Sequence, residues 1–93
     1  MATSDLATSA ARDALERANM APSELDCIIV ATSTPDMIMP ATAAMVQKNI
    51  GAANAFAFDM NAVCSSFVYA VDTADSLIRS GKYRTLMVIG ADK

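Results

Sequence analysis

The sequence predicts a three-layer α/β fold, with helices covering both faces of a parallel sheet. Three observations carry this expectation. Three short apolar runs, Cys27–Thr32, Ala55–Met60 and Thr85–Ala91, begin about thirty residues apart, the length of one βαβ unit. The first of them (CIIVAT) is continuously apolar rather than alternating, as in a strand buried on both faces of a parallel sheet. The segments between the runs have helical patterns, and right-handed crossovers would lay them on the sheet faces. No low-complexity stretch or linker divides the chain.

The elements follow in order. Ser4–Asn19 reads as a helix, with Leu6, Ala10, Ala14, Leu15 and Ala18 on one face and Arg12, Asp13, Glu16 and Arg17 off it. Ser4 is its expected N-cap, Asp5 suits the first turn, and Pro22 stops it. Cys27 falls in the first strand, where a cysteine is plain core. Ser33–Pro40 is a loop bearing Pro35 and Pro40. Ala41 or Thr42 to Ile50 is a second helix, with Thr42 able to cap its start and Gly51 its end. After the Ala55–Met60 strand, Ala62–Ser80 has neither Gly nor Pro and reads as a third helix, with Asn61 as its N-cap. Its charges are Asp72, Asp75 and Arg79, one narrow wet stripe in which Asp75 and Arg79 can pair. The rest of its circumference is apolar or small, which predicts a largely buried helix closed by Gly81. Thr85–Ala91 is the last strand.

Composition narrows the function. The 93 residues allow one small domain at most, yet 54% are hydrophobic and only 18% charged. A free-standing domain of this size buries only about 60–65% of its unfolded surface. Part of the apolar surface is therefore expected to be covered from outside the chain. Seven basic residues against ten acidic ones give a net charge of −3, and no basic stripe with interleaved aromatics favours nucleic acid. No secretory signal and no apolar run of the ~18 residues needed to span a bilayer is present. Two cysteines without a secretory context suggest free thiols in a reducing, cytoplasmic compartment. There is no Gly-rich phosphate loop and no metal-type Cys/His cluster, so no metal or redox cofactor is expected. Asp72 and Asp75 read as a solvated stripe rather than an acid–base pair, and Asp59 as a residue that orders the following turn by accepting backbone N–H groups.

The stretch with chemical content is Asp59–Ala70 (DMNAVCSSFVYA), a strand end, a tight turn and a helix start. Capping by Asn61 would place Cys64 in the first helical turn, where the positive end of the helix dipole favours the thiolate and makes a better nucleophile. On pattern alone, a cysteine in this apolar, alanine-rich run reads first as a small buried hydrophobe. Without a histidine, no Cys–His pair can be completed inside the chain.

The segment FDMNAVCSSFVYAVDTADSLIRSGKYRTLMVIGADK resembles the active-site segment of β-ketoacyl-acyl-carrier-protein synthase III, a condensing enzyme of the thiolase superfamily. IIVATSTPDMIMPATAAMVQKNIGAANAFAF resembles the segment preceding it, so the likeness runs from about Asp5 to Lys93. It implies a thiolase-like three-layer α/β/α fold with three parallel strands of the N-terminal half, Cys27–Thr32 lying between the other two. Residues 1–93 would then be part of that half, an incomplete domain, inactive and poorly soluble on its own. The implied activity is decarboxylative Claisen condensation of an acyl-CoA with malonyl-acyl-carrier protein through an acyl-Cys64 thioester, initiating fatty acid synthesis. The histidine and asparagine that promote decarboxylation in the family would lie beyond Lys93. One departure is Ser66, where members commonly carry glycine; serine narrows the space beside the nucleophile and bears on acyl-chain preference.

Two alternatives stand beside this: another thiolase-superfamily enzyme (a thiolase, a hydroxymethylglutaryl-CoA synthase or an alkylquinolone-type condensing enzyme), and a non-catalytic piece that only docks with a partner chain. Ala55–Met60 has two phenylalanines and no charge before Asp59, and in the family's strand order it is an edge. Such an edge templates pairing, which predicts a homodimer with the sheet continuing across a twofold axis. The resemblance further implies that Met39 lines the acyl pocket of the partner subunit.

Overall fold

A computed structural model of the chain describes residues 2–32, 41–61 and 66–91. The elements are α1 (Thr3–Ala18), a 3-10 turn (Pro22–Glu24), β1 (Cys27–Ala31), α2 (Thr42–Ile50), β2 (Phe56–Met60), α3 (Ser66–Arg79) and β3 (Leu86–Gly90). The strands form one parallel sheet in the order β2-β1-β3, so β1 is central, as the resemblance implies.

β1 is buried along its whole length, and its two faces feed two cores. Ile28 and Val30 pack with Met87 and Ile89 under α1 and α2, against Ala7, Ala11, Leu15, Ala43 and Val46. Cys27, Ile29 and Ala31 pack on the other side with Phe58, Leu86 and Val88 against Ala70, Ala74 and Leu77 of α3. The result is three layers, with α1 and α2 on one face and α3 on the other.

The details differ from the local sequence pattern in three places. The expected N-cap, Ser4, lies inside α1 and is buried. Ala2 holds the cap position, and its N–H donates to the Asp5 carboxylate at 3.0 Å, so a reach-back bond starts the helix without a capping hydroxyl. The buried stripe is Thr3, Ser4, Ala7, Thr8, Ala11 and Leu15, whereas Leu6 is 38% exposed and Ala10, Ala14 and Ala18 are also exposed. Close approach to α2 selects small side chains, and two polar ties lie on that side: Asn49 Nδ2 donates to Thr8 Oγ1 (3.1 Å) and Arg12 to the Asn49 carbonyl (3.0 Å). α1 ends at Asn19 in the left-handed region (φ 53°), ahead of Pro22, which opens the 3-10 turn instead.

The third difference is α3. The Asp75–Arg79 pair is present at 2.9 Å, but Phe67, Val68, Tyr69, Val71 and Ile78 are all exposed. A helix apolar around most of its circumference needs cover on more than one side, and the described residues supply it on one.

At the amino end of the sheet one residue ties the strands together. Asp26 N–H donates to the Thr85 carbonyl (2.8 Å), and the Asp26 carbonyl accepts from Phe56 N–H (3.1 Å). Its carboxylate accepts the backbone N–H groups of Arg84 (2.9 Å) and Thr85 (3.1 Å). These two bonds, Arg84's first, hold its pKa below the usual 3.8. A lowered folded-state value means stability that is complete above the unfolded value and lost as pH falls through the folded one. Asp26→Asn should therefore lower the urea midpoint of the protein at neutral pH, and the gap to the parent should narrow as pH falls below about 4. A gap that does not change with pH would contradict this role.

Candidate active site at the carboxyl end of the sheet

The three strands are level at their carboxyl ends. Ala31 is registered with Met60 on one side and Gly90 on the other. The ladder runs one bond further on each side: Thr32 N–H donates to the Met60 carbonyl and Ala91 N–H to the Ala31 carbonyl, both at 3.1 Å. The connections leaving this end therefore share one rim. In parallel α/β sheets ligands bind at this end.

Two connections matter. Residues 62–65 join Asn61 to α3 and contain Cys64; residues 33–40 join Thr32 to α2 and contain Met39. Both predicted site residues lie outside the described residues, as do the expected Ser33–Pro40 loop and the first turn that Asn61 was expected to cap. What is described is the frame on either side of them.

α3 is seated over the end of β3. A Cβ on Gly90 would stand 3.0 Å from Cδ1 of Phe67, in the first turn of α3, so the absence of a side chain at Gly90 lets that ring approach the strand. α2 is held by Asp59. One carboxylate oxygen accepts Thr42 N–H and the other accepts Ala43 N–H, each at 2.7 Å. Thr42 was the expected cap, but the cap position is Ala41, whose side chain cannot accept a bond, and the carboxylate that stands in comes from β2. Strand alternation explains the reach: Phe58 and Met60 pack toward α3, while Ala57 belongs to the core under α2, and Asp59 follows Ala57 by two. Away from the rim, Gln47 Nε2 donates to the carbonyls of Ala52 (2.9 Å) and Ala55, closing the α2–β2 turn after Gly51. Nothing in the local sequence pattern signals that clamp.

Cys27 is not part of the site. It is fully buried against α3, and burial, with the Asp26 charge second, pushes its thiol up to about 11. It is core, as expected.

Residues 58–93 match the model of the 3-oxoacyl-[acyl-carrier-protein] synthase III family. Over 90 residues, 97% of its length, the chain is 57% identical to β-ketoacyl-[acyl-carrier-protein] synthase III of Ehrlichia canis. The crystal structure of 3-oxoacyl-[acyl-carrier-protein] synthase III from Aquifex aeolicus superposes on the whole chain with a TM-score of 0.97 at 49% identity. Along nearly its whole length the chain is similar to members of this synthase III family. The described fold is the corresponding part of its thiolase-like α/β architecture. The chain spans 28% of the length of the Ehrlichia relative and 30% of the Aquifex chain. A structure named as a tetronic acid condensing enzyme, AbyA1, is also similar, with a TM-score of 0.95 at 36% identity over 99% of this chain.

A thiol titrating near 11 is only about one part in a thousand thiolate at pH 8. Iodoacetamide at that pH should leave Cys27 unmodified in the native protein and label it after denaturation. Rapid native labelling of Cys27, mapped by mass spectrometry, would contradict its place in the core.

Proposed function

We propose that the protein carrying this chain is a condensing acyltransferase of the synthase III type, initiating fatty acid synthesis, with Cys64 as the acyl carrier. The observation that carries this is Cys64's position in the sequence. It lies in the connection from the level carboxyl end of β2 to the amino end of α3, inside the stretch that matches the family model. Cys64 precedes Ser66, the first residue of the 14-residue α3, by two positions, and the positive end of a helix favours a thiolate.

The reaction would run in two halves. The Cys64 thiolate attacks the carbonyl carbon of acyl-CoA; the tetrahedral intermediate collapses to acyl-Cys64 and expels coenzyme A. Malonyl-acyl-carrier protein then loses carbon dioxide, the electron pair of the broken bond attacks the thioester carbon, and the Cys64 thiolate leaves, giving 3-oxoacyl-carrier protein. A thiolate is both nucleophile and leaving group, which this sequence requires. The backbone N–H of Cys64 is a candidate donor to the developing oxyanion. The chain contains no histidine, so a histidine promoting decarboxylation would come from outside these residues. The reaction as written calls for no metal or redox cofactor; coenzyme A enters as substrate.

In this reading residues 1–93 form part of the N-terminal half of a duplicated cytoplasmic enzyme, and the exposed apolar side of α3 is covered by the rest of it. The homodimer would form through β2. Among the described residues β2 pairs only with β1, its Phe56 is 39% exposed, and Phe56 stacks on Phe58 and leans on Tyr83. Met39 would reach the acyl pocket of the partner. The likeness to the tetronic acid condensing enzyme keeps a second reading open, a condensing enzyme of the same superfamily acting on a different acceptor.

Cys64→Ala should lower condensation of acetyl-CoA with malonyl-acyl-carrier protein by roughly three orders of magnitude or more and abolish the acetyl adduct; full activity would end this reading. If the parent takes acetyl onto Cys64 but does not use malonyl-acyl-carrier protein, the second reading stands. Phe56 N–H points to β1, so by alternation Ala57 N–H points to the free edge. Ala57→Pro should therefore weaken the dimer without breaking the β1–β2 ladder, and an unchanged sedimentation profile would rule out edge pairing. Met39→Phe should shift preference toward shorter acyl-CoA, and an unchanged chain-length profile would remove Met39 from the pocket.

A further inference from the structure

Asp59 is the one acidic residue between Ala41 and Asn61. It stands one residue before the end of β2, half-buried, and each of its two carboxylate oxygens accepts one backbone N–H from the first turn of α2. Those N–H groups have no partner within a helix, and a negative charge at this end meets the positive pole of the dipole. Bonds to a carboxylate are short and about twice as strong as neutral ones, as the 2.7 Å distances reflect. Ala41 at the cap position offers no side-chain acceptor of its own.

The consequence lies in what the bond joins. Ala41 and Thr42 directly follow the connection that contains Met39. Asp59, Met60 and Asn61 lead directly into the connection that contains Cys64. We infer that Asp59 is a positioning residue, whose carboxylate fixes the start of α2 to the end of β2 and thereby the spacing between Ala41 and Asn61, to which the connections containing Met39 and Cys64 are attached. This rests on the reading of Cys64 as the acylated residue. Asp59 itself touches neither substrate nor nucleophile in this account. Its effect is on how well an acyl-CoA is aligned with the thiol, because a shift of about 1 Å at a reacting centre can cost on the order of a hundredfold in rate.

The test uses the whole protein, its Asp59→Asn variant and, as the harsher change, Asp59→Ala. The asparagine keeps the size and one acceptor but presents an NH2 group to a backbone N–H, so it removes one bond and the charge while leaving a foldable side chain. Three readouts are taken per folded molecule: single-turnover acylation by acetyl-CoA and by hexanoyl-CoA, alkylation of Cys64 by iodoacetamide, and amide hydrogen exchange. Asp59→Asn should slow acylation by about ten- to a hundredfold and change the ratio of the two acyl-CoA rates. Alkylation, which needs no docked substrate, should stay within about threefold of the parent. Exchange should quicken at Thr42 and Ala43 and also across residues 61–66. Unchanged acylation rates and ratio would overturn the inference, and so would faster exchange confined to Thr42 and Ala43. If the parent takes no acyl group on Cys64, the proposed function fails, and the exchange pattern alone still decides whether Asp59 couples the two connections.

Discussion

The burial of β1 is the constraint on which the rest depends. Its five residues are at most 3% exposed, and its side chains alternate between the core under α1 and α2 and the core under α3. A strand lined with isoleucine, valine, alanine and a thiol on both faces is stable only between two helical layers. Each fully buried Ile or Val contributes about 1.5–3 kcal/mol by transfer from water, an upper figure for a compact unfolded state. β1 also donates to and accepts from both neighbours in one register, and that register makes the carboxyl ends of all three strands flush. The rim from which the Cys64 and Met39 connections spring is thus a consequence of one apolar strand.

Two aspartates finish what β1 begins, one at each end of the sheet. Both accept a pair of backbone N–H groups, but to different effect. Asp26 gathers the starts of β2 and β3 around the start of β1, far from the rim. Asp59 sits at the rim and holds a helix rather than a strand. For Asp26 the two backbone donors hold the carboxyl pKa low, with the Arg84 charge a smaller contribution.

Much of this was legible in the sequence, and the remainder was hidden for identifiable reasons. The strands showed as apolar runs, and their order followed from the family likeness. Gly51 and Gly81 take the positive φ values their helix-ending places require, and Asp75 pairs with Arg79 as the helical spacing predicts. The contact face of α1 was not legible from hydrophobicity, since Leu6 points out while Thr3, Ser4 and Thr8 are buried against neighbours the pattern cannot see. The cap of α2 was hidden because its acceptor lies 17 residues along the chain from Thr42. Asp59 accepts backbone N–H groups, and strand alternation turns its carboxylate toward the first turn of α2; the turn that follows it in the chain lies outside the described residues. The exposed side of α3 was hidden because the pattern reports how apolar a face is and not what covers it. Cys64 and Met39 were assigned from the turn chemistry and the family likeness, and the structure describes only their neighbours on either side.

A crystal structure of the whole protein after a brief soak with acetyl-CoA decides whether Cys64 carries the acyl group. An acetyl thioester is expected on Sγ of Cys64, at the rim where Ala31, Met60 and Gly90 end, with the Asp59 carboxylate still bonded to Thr42 and Ala43. An acetyl group on any other residue, or a Cys64 packed beneath α3 beyond reach of the acyl donor, would contradict it.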